Sequence, residues 1–359
     1  MQDELFGKGP TPPAPTTALT APAAKKPARR SAQVLAAPES ADWQELARSL
    51  PPQLWLGTSS WSYPGWTGQV WADTHDEAVL SKLGLPAYSA HPLLRTVSVD
   101  RALYRALSQA QYMHYASQVP DDFRFIVKGP ATVCDALVRD EQGRARQPNP
   151  TFLDARLAES DFIRPASEGL KHKAGVLVFQ LSPLPSAWLT PAQHLLQRLG
   201  DFLSALPRPL EAAPNTIFAV EVRDASLLTP AFADVLKATG TSYCLGLHAK
   251  MPPIEAQLPV LRHLWPGPLV CRWSLHRRHG AFGYESARAL YAPFQHIQDP
   301  DPETRATLAR VIVGTTRAGH PAYVSVSNKA EGCAPLSVAA LAQEVARQWE
   351  AGAVSQESP

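Results

Sequence analysis

Short apolar runs recur along the chain from residue 53 onward, and a helix-period stretch or a loop follows each of them. Runs at 54–57, 96–99, 123–128, 175–180, 217–222, 242–245, 269–273 and 322–326 read as eight strands. Several, such as GVLVFQ, are continuously apolar, the pattern of parallel strands covered on both faces. Apolar residues three and four apart predict helices over 101–118, 191–206, 230–239, 304–318 and 337–349. In the last of these, Ser337 is the expected N-cap, and Leu341, Val345 and Trp349 follow at spacing four. Eight β–α alternations predict an α/β protein built as a TIM-type (β/α)8 barrel. A doubly wound open sheet is the alternative, but the turn after the first strand reads GTSSWSYPGW and lacks the glycine fingerprint of that fold.

The pattern fails upstream of the first strand. Residues 8–38 hold 7 Pro and 9 Ala, no aromatic residue and no acid. Such a stretch cannot bury enough surface to offset its ordering entropy, so residues 1–42 read as a disordered arm. Order is expected to begin near Trp43, where Trp43, Leu46, Ala47 and Leu50 fit one face of a short helix. A single barrel domain is then expected over 43–350, with a disordered tail at 351–359.

Composition narrows the classes. The 34 basic and 32 acidic side chains leave a net charge of +2, too little for a general nucleic-acid coat or a polybasic membrane binder. No apolar run approaches the roughly 18–20 residues of a membrane span, and the N-terminus MQDELFGKG is no secretory signal. Cysteines stand at 134, 244, 271 and 333, too scattered for a CxxC pair; they read as buried thiols in a reducing compartment. A cytoplasmic protein is the expectation.

The segments GTSSWSYPGWTGQVW, TVSVDRALYR, FRFIVKGP, GVLVFQLSPLP, FAVEVRD and VSVSNKAEGCAP occur in this order. Together, over residues 53–345, they resemble the domain-of-unknown-function 72 family, also called YecE-like. The resemblance implies a TIM-type barrel and no settled reaction. The chain departs from the family pattern at the second strand, where Ser98 replaces an acid, Asp100 an Asn and Ala102 a Thr. It departs again after the fifth strand, where Asp224 replaces a His, and at the seventh and eighth, which read CRWSLH and SN.

Strand-end side chains converge at the C-terminal mouth of a barrel. Here they would be Lys128, Gln180, Glu221, Arg223, Arg272 and Asn328. Glu221 is the only acid of the set and the candidate general acid/base, with Lys128 as its catalytic charge partner. Gln180, Arg223, Arg272 and Asn328 would bind substrate, and the cationic excess points to phosphate or carboxylate. Trp61, Tyr63 and Trp66, in the loop after the first strand, would form an aromatic platform for it; a packed lid over the barrel end is the other reading. No nucleophile elbow, Walker loop or GxGxxG occurs, and no cofactor is implied. His248, His276 and His279 lie beyond the sixth and seventh strands, but the arginines of HRRHG oppose a cation, so no metal is expected. The same loop, with Phe282 and Tyr284, is a weak signal for nucleic acid. The alternative to an enzyme is a non-catalytic scaffold on a degenerate barrel.

One motif stands apart. Gln2, Leu5 and Phe6 have the form QxxLF, which resembles the short motif by which bacterial replication and repair proteins bind the sliding clamp. Leu5 and Phe6 would fill an apolar pocket while Gln2 bonds at its rim.

Overall fold

A computed structural model describes residues 33–38, 40–140, 144–280 and 283–354. Eight parallel strands close into a barrel: β1 Leu54–Thr58, β2 Thr96–Val99, β3 Arg124–Lys128, β4 Ala174–Gln180, β5 Ile217–Glu221, β6 Ser242–Leu247, β7 Leu269–Trp273 and β8 Ala322–Val326. Each pairs with its sequence neighbours, and β8 returns to β1 in the register Leu54↔Ala322 to Thr58↔Val326. That closure rules out the open sheet.

The strands have two apolar faces. Trp55, Ile126, Val176, Val178, Ile217, Ala219, Cys244, Val270 and Tyr323 fill the barrel interior. Their alternates, among them Leu56, Phe125, Leu177, Phe179, Val220 and Leu245, pack under the surrounding helices. Both faces being buried explains the continuous apolar runs. All four cysteines are buried free thiols. Gly57 is dictated by closure, because a Cβ there would stand 1.8 Å from the Thr96 carbonyl oxygen on β2.

Three local expectations are corrected. The stretch 101–118 is not one helix: Asp100–Leu103 forms a 3-10 turn, and an α-helix spans Gln109–Ala116. Ser108 and Gln111 make a reciprocal capping box that starts the helix there. The last helix is Ala334–Val354, so Ser337 lies inside it rather than capping it. The Ser337 backbone N–H donates to the Cys333 carbonyl at 2.9 Å. Ordered contacts begin before Trp43. The helix Ala41–Ser49 is capped by Ser40, but Ala37 N–H already bonds the Val70 carbonyl at 2.9 Å, and Val34 is buried. A two-stranded hairpin, Leu137–Arg139 with Ala145–Pro148, stands outside the barrel. Among the described residues no helix is long and apolar enough to cross a membrane. Gln2, Leu5, Phe6 and Phe282 lie outside the described residues.

Candidate functional site at the barrel mouth

Side-chain alternation builds the mouth. Inward-pointing Ile126, Val178, Ala219, Val270 and Tyr323 are each followed two residues later by Lys128, Gln180, Glu221, Arg272 and Ser325. A polar layer therefore caps the apolar interior at the C-terminal strand ends. Gly246, two residues beyond Cys244, leaves room in the same layer; a Cβ there would meet the Glu221 carboxylate at 3.7 Å.

The charges of this layer are bonded to one another. Glu221 is fully buried. Arg272 Nη1 donates to its Oε2 at 2.7 Å, and Arg223 Nη2 lies 2.6 Å from its Oε1. Gln180 Oε1 accepts from Arg223 at 3.0 Å and from Arg272 at 3.3 Å. Arg272 Nη2 reaches Asp100 Oδ2 at 2.5 Å, and Ser98 Oγ donates to the other oxygen of Asp100, also at 2.5 Å. The ammonium of Lys128, a residue only 7% exposed, makes no hydrogen bond or ion pair with any described residue.

These contacts set the protonation states. Burial alone would raise the Glu221 carboxyl, but Arg223, Arg272 and Lys128 outweigh it and hold it below the usual carboxylate range. Burial opposes ionisation of Asp100 too, and Arg272, Lys128 and Ser98 overcome it. Arg272 is held charged by Asp100 and Glu221 in spite of burial. Lys128 moves the other way. Burial, reinforced by Arg272 and Arg223 and opposed by Asp100 and Glu221, pushes it down to about 8. Glu221 is thus an anion that orders two guanidiniums. Lys128 is the group that changes protonation near neutrality.

The structure separates the other sequence candidates from this cluster. Asn328 is fully buried, and its Oδ1 accepts from Trp66 Nε1 at 3.1 Å and from the Ala334 backbone N–H at 2.7 Å, the first residue of the last helix. Trp66 has no exposed surface and packs among Tyr63, Trp71 and Tyr88. Trp61 is 5% exposed and meets Tyr115 edge-on, whereas Tyr63 is half-buried. The hydroxyls of this loop are also engaged: Thr58 Oγ1 lies 2.9 Å from Tyr88 Oη and donates to the Ser60 carbonyl at 2.7 Å. Its burial and bonding are those of a packed lid, with Tyr63 its partly open member.

Beyond the strands, Asp224 Oδ2 accepts the Leu184 N–H at 2.9 Å. His276 Nδ1 accepts from the Arg278 backbone, and His279 Nε2 lies 2.6 Å from Tyr291 Oη. His248 is buried, and its ring faces Tyr284 at 5.2 Å. Burial first, then Arg223, push His248 down to about 4. Among the described residues no three His, Cys, Asp or Glu side chains converge on a metal position. Among the described residues, the buried donors without hydrogen-bond partners include Arg223 Nη1, Arg272 Nε, Trp61 Nε1 and Asn328 Nδ2, and also the hydroxyls of Thr96, Tyr112, Ser325 and Ser337. Arg223 and Arg272 are the two of these that belong to the charged cluster. An apolar cleft of about 470 Å3 opens at the opposite end of the barrel, between Tyr243, Leu261, Trp265 and Val311. It holds none of the charged cluster.

Sequence reasoning missed Asp100 and Ser98 as members of the cluster. Their signal was parity: Ser98 faces inward on β2, and an acid two residues beyond it stays on that side.

No curated protein matches the chain. A solved protein of the DUF72 family from Enterococcus faecalis is 14% identical, covers 81% of this chain and 95% of its own, and superposes with a TM-score of 0.50. Another, from Thermotoga maritima, is 16% identical over 83% of this chain and 99% of its own, with a TM-score of 0.46. The family model "Protein of unknown function DUF72" matches residues 55–359, from β1 through all eight strands, and the chain therefore belongs to the DUF72 family.

Proposed function

We propose that the C-terminal mouth is an enzyme site for a small anionic substrate bearing phosphate or carboxylate. The observation that carries this reading is the asymmetry of the mouth. Its carboxylates are matched by guanidiniums, while the Lys128 ammonium and two buried guanidinium donors, Arg223 Nη1 and Arg272 Nε, have no partner among the described residues. Buried polar groups are nearly always satisfied, so a set of orphaned donors marks where acceptor atoms belong. Glu221 and Asp100 order Arg223 and Arg272, and Lys128 supplies the titrating group that the sequence reading assigned to Glu221. The mutual ion pairs of Glu221, Asp100, Arg223 and Arg272 are what a scaffold on a degenerate barrel would also show; the unpaired Lys128 ammonium is what favours the enzyme.

Sulfate tests this reading, because its charge is constant over the pH range of interest. It should bind and raise the thermal midpoint of the protein at fixed ionic strength. Lys128→Met should fold normally, since the charge removed has no partner, and should weaken sulfate about ten-fold or more. Lys128 is charged below about 8 and neutral above it, so affinity should fall as pH rises from 7 to 9. Sulfate binding that is absent, or indifferent to Lys128, would overturn the reading.

The N-terminal motif supports a separate proposal, that residues 2–6 tether the protein to the bacterial sliding clamp and bring the phosphates of nucleic acid near the mouth. A labelled peptide of residues 1–10 should bind purified clamp saturably and weakly, and Leu5→Ala with Phe6→Ala should abolish binding. A tether raises local concentration, so weak affinity suffices. Absence of saturable binding by high micromolar peptide would end this proposal.

A further inference from the structure

We propose that Lys128 is a covalent nucleophile, forming an imine with a small carbonyl compound that carries an anionic group. This rests on the reading of the mouth as an anion-binding enzyme site and names the chemical class of its substrate.

An amine that attacks a carbonyl must be free of strong partners, positioned on rigid backbone and shielded from bulk water. Lys128 meets each condition. It ends β3, whose backbone is paired on both sides; its own Cα registers with Val178 of β4. The two carboxylates that would otherwise capture its ammonium are already engaged, Glu221 by Arg223 and Arg272, and Asp100 by Arg272 and Ser98. The side chain is 93% buried in a layer whose other cations are guanidiniums, which cannot act as nucleophiles near neutrality. Burial, with neighbouring positive charge, favours the free amine over the opposing pull of Asp100 and Glu221; a lysine titrating near 8 carries roughly 200-fold more of it at neutral pH than an ordinary one.

The guanidiniums complete the arrangement. Arg223 Nη1 and Arg272 Nε are buried donors without partners, suited to a carboxylate or phosphate held beside the amine. The step balances without a redox partner. The Lys128 nitrogen lone pair forms a bond to the carbonyl carbon as the C=O π pair moves to oxygen. The two amine protons pass to that oxygen, the C–O bond breaks, water leaves, and the C=N bond remains.

Glyoxylate, the smallest aldehyde carrying a carboxylate, is the probe, with sodium borohydride to reduce any imine to a stable secondary amine. Peptide mapping of the full-length protein should locate one carboxymethyl group on Lys128, formed about ten-fold or more faster than on the exposed lysines Lys82 and Lys237. Sulfate should protect Lys128, and neutral propionaldehyde should show no such preference. Lys128→Arg keeps the charge, so it should still bind sulfate and take no label at the mouth. Labelling of Lys128 no faster than of Lys82 and Lys237, with sulfate binding intact, would overturn the imine and leave the anion site standing. Loss of both would overturn the two together.

Discussion

Glu221→Gln should cost about 3–5 kcal/mol of folding stability at pH 7, one of the largest losses available to a single conservative change in this protein. The substitution keeps the shape of the side chain and removes its charge. Arg223 and Arg272 are then left buried against a neutral amide, with Gln180 and Asp100 their remaining partners. Breaking one side of a buried ion pair costs more than the pair contributes, because the surviving charge cannot return to water. The sign of the pH dependence follows from the low pKa of Glu221. A carboxyl depressed in the folded state contributes stability that is complete above its unfolded pKa of about 4.3 and is lost as pH falls through the folded value. The gap between the parent protein and the glutamine variant should therefore be constant from pH 7 to about 5 and narrow in more acidic solution. Denaturant unfolding of both proteins across this range measures it. A gap below about 1 kcal/mol at pH 7 would mean that the guanidiniums do not depend on Glu221.

Trp66→Ala should lose about 3–5 kcal/mol, the usual cost of deleting a large buried aromatic side chain. Its ring has no exposed surface and lies against Tyr63, Trp71 and Tyr88, so nothing refills the space. The indole N–H shares the Asn328 amide oxygen with the start of the last helix. Asn328→Ala should also destabilise, and the two changes together should cost less than their sum, because each breaks the same hydrogen bond. Chemical denaturation of the two single variants and the double variant gives the coupling. Sulfate affinity supplies the opposing outcome. A Trp66→Ala protein of nearly unchanged stability that binds sulfate poorly would place the ring at a ligand and not in the lid.

The strands were legible because each is a short apolar run bounded by polar residues, and runs covered on both faces leave little freedom in where they start and stop. The region after β2 was less legible. Residues 101–118 carry enough helix-period pattern for one long helix, but Asp100 is drawn to Arg272, 172 residues away in sequence, and the Ser108–Gln111 box restarts the helix downstream. Helix periodicity is local information and contains no trace of that distant guanidinium. Ser337 failed as a cap for the same reason. The helix is started from outside by Asn328, through a hydrogen bond that no neighbouring-residue pattern encodes.

By itself the sequence determined the β–α order, the eight strands and, through alternation within each strand, that Lys128, Gln180, Glu221 and Arg272 end on one face at one end of a barrel. These are properties of single segments, set by apolar spacing and backbone geometry. Only the tertiary structure decided which of those charges neutralise one another, that Asp100 joins them, that Trp66 and the start of the last helix share the Asn328 amide, and that the Lys128 ammonium has no partner among the described residues. Pairing, burial and pKa depend on distances between side chains from different strands, and those distances exist only once the sheet has closed.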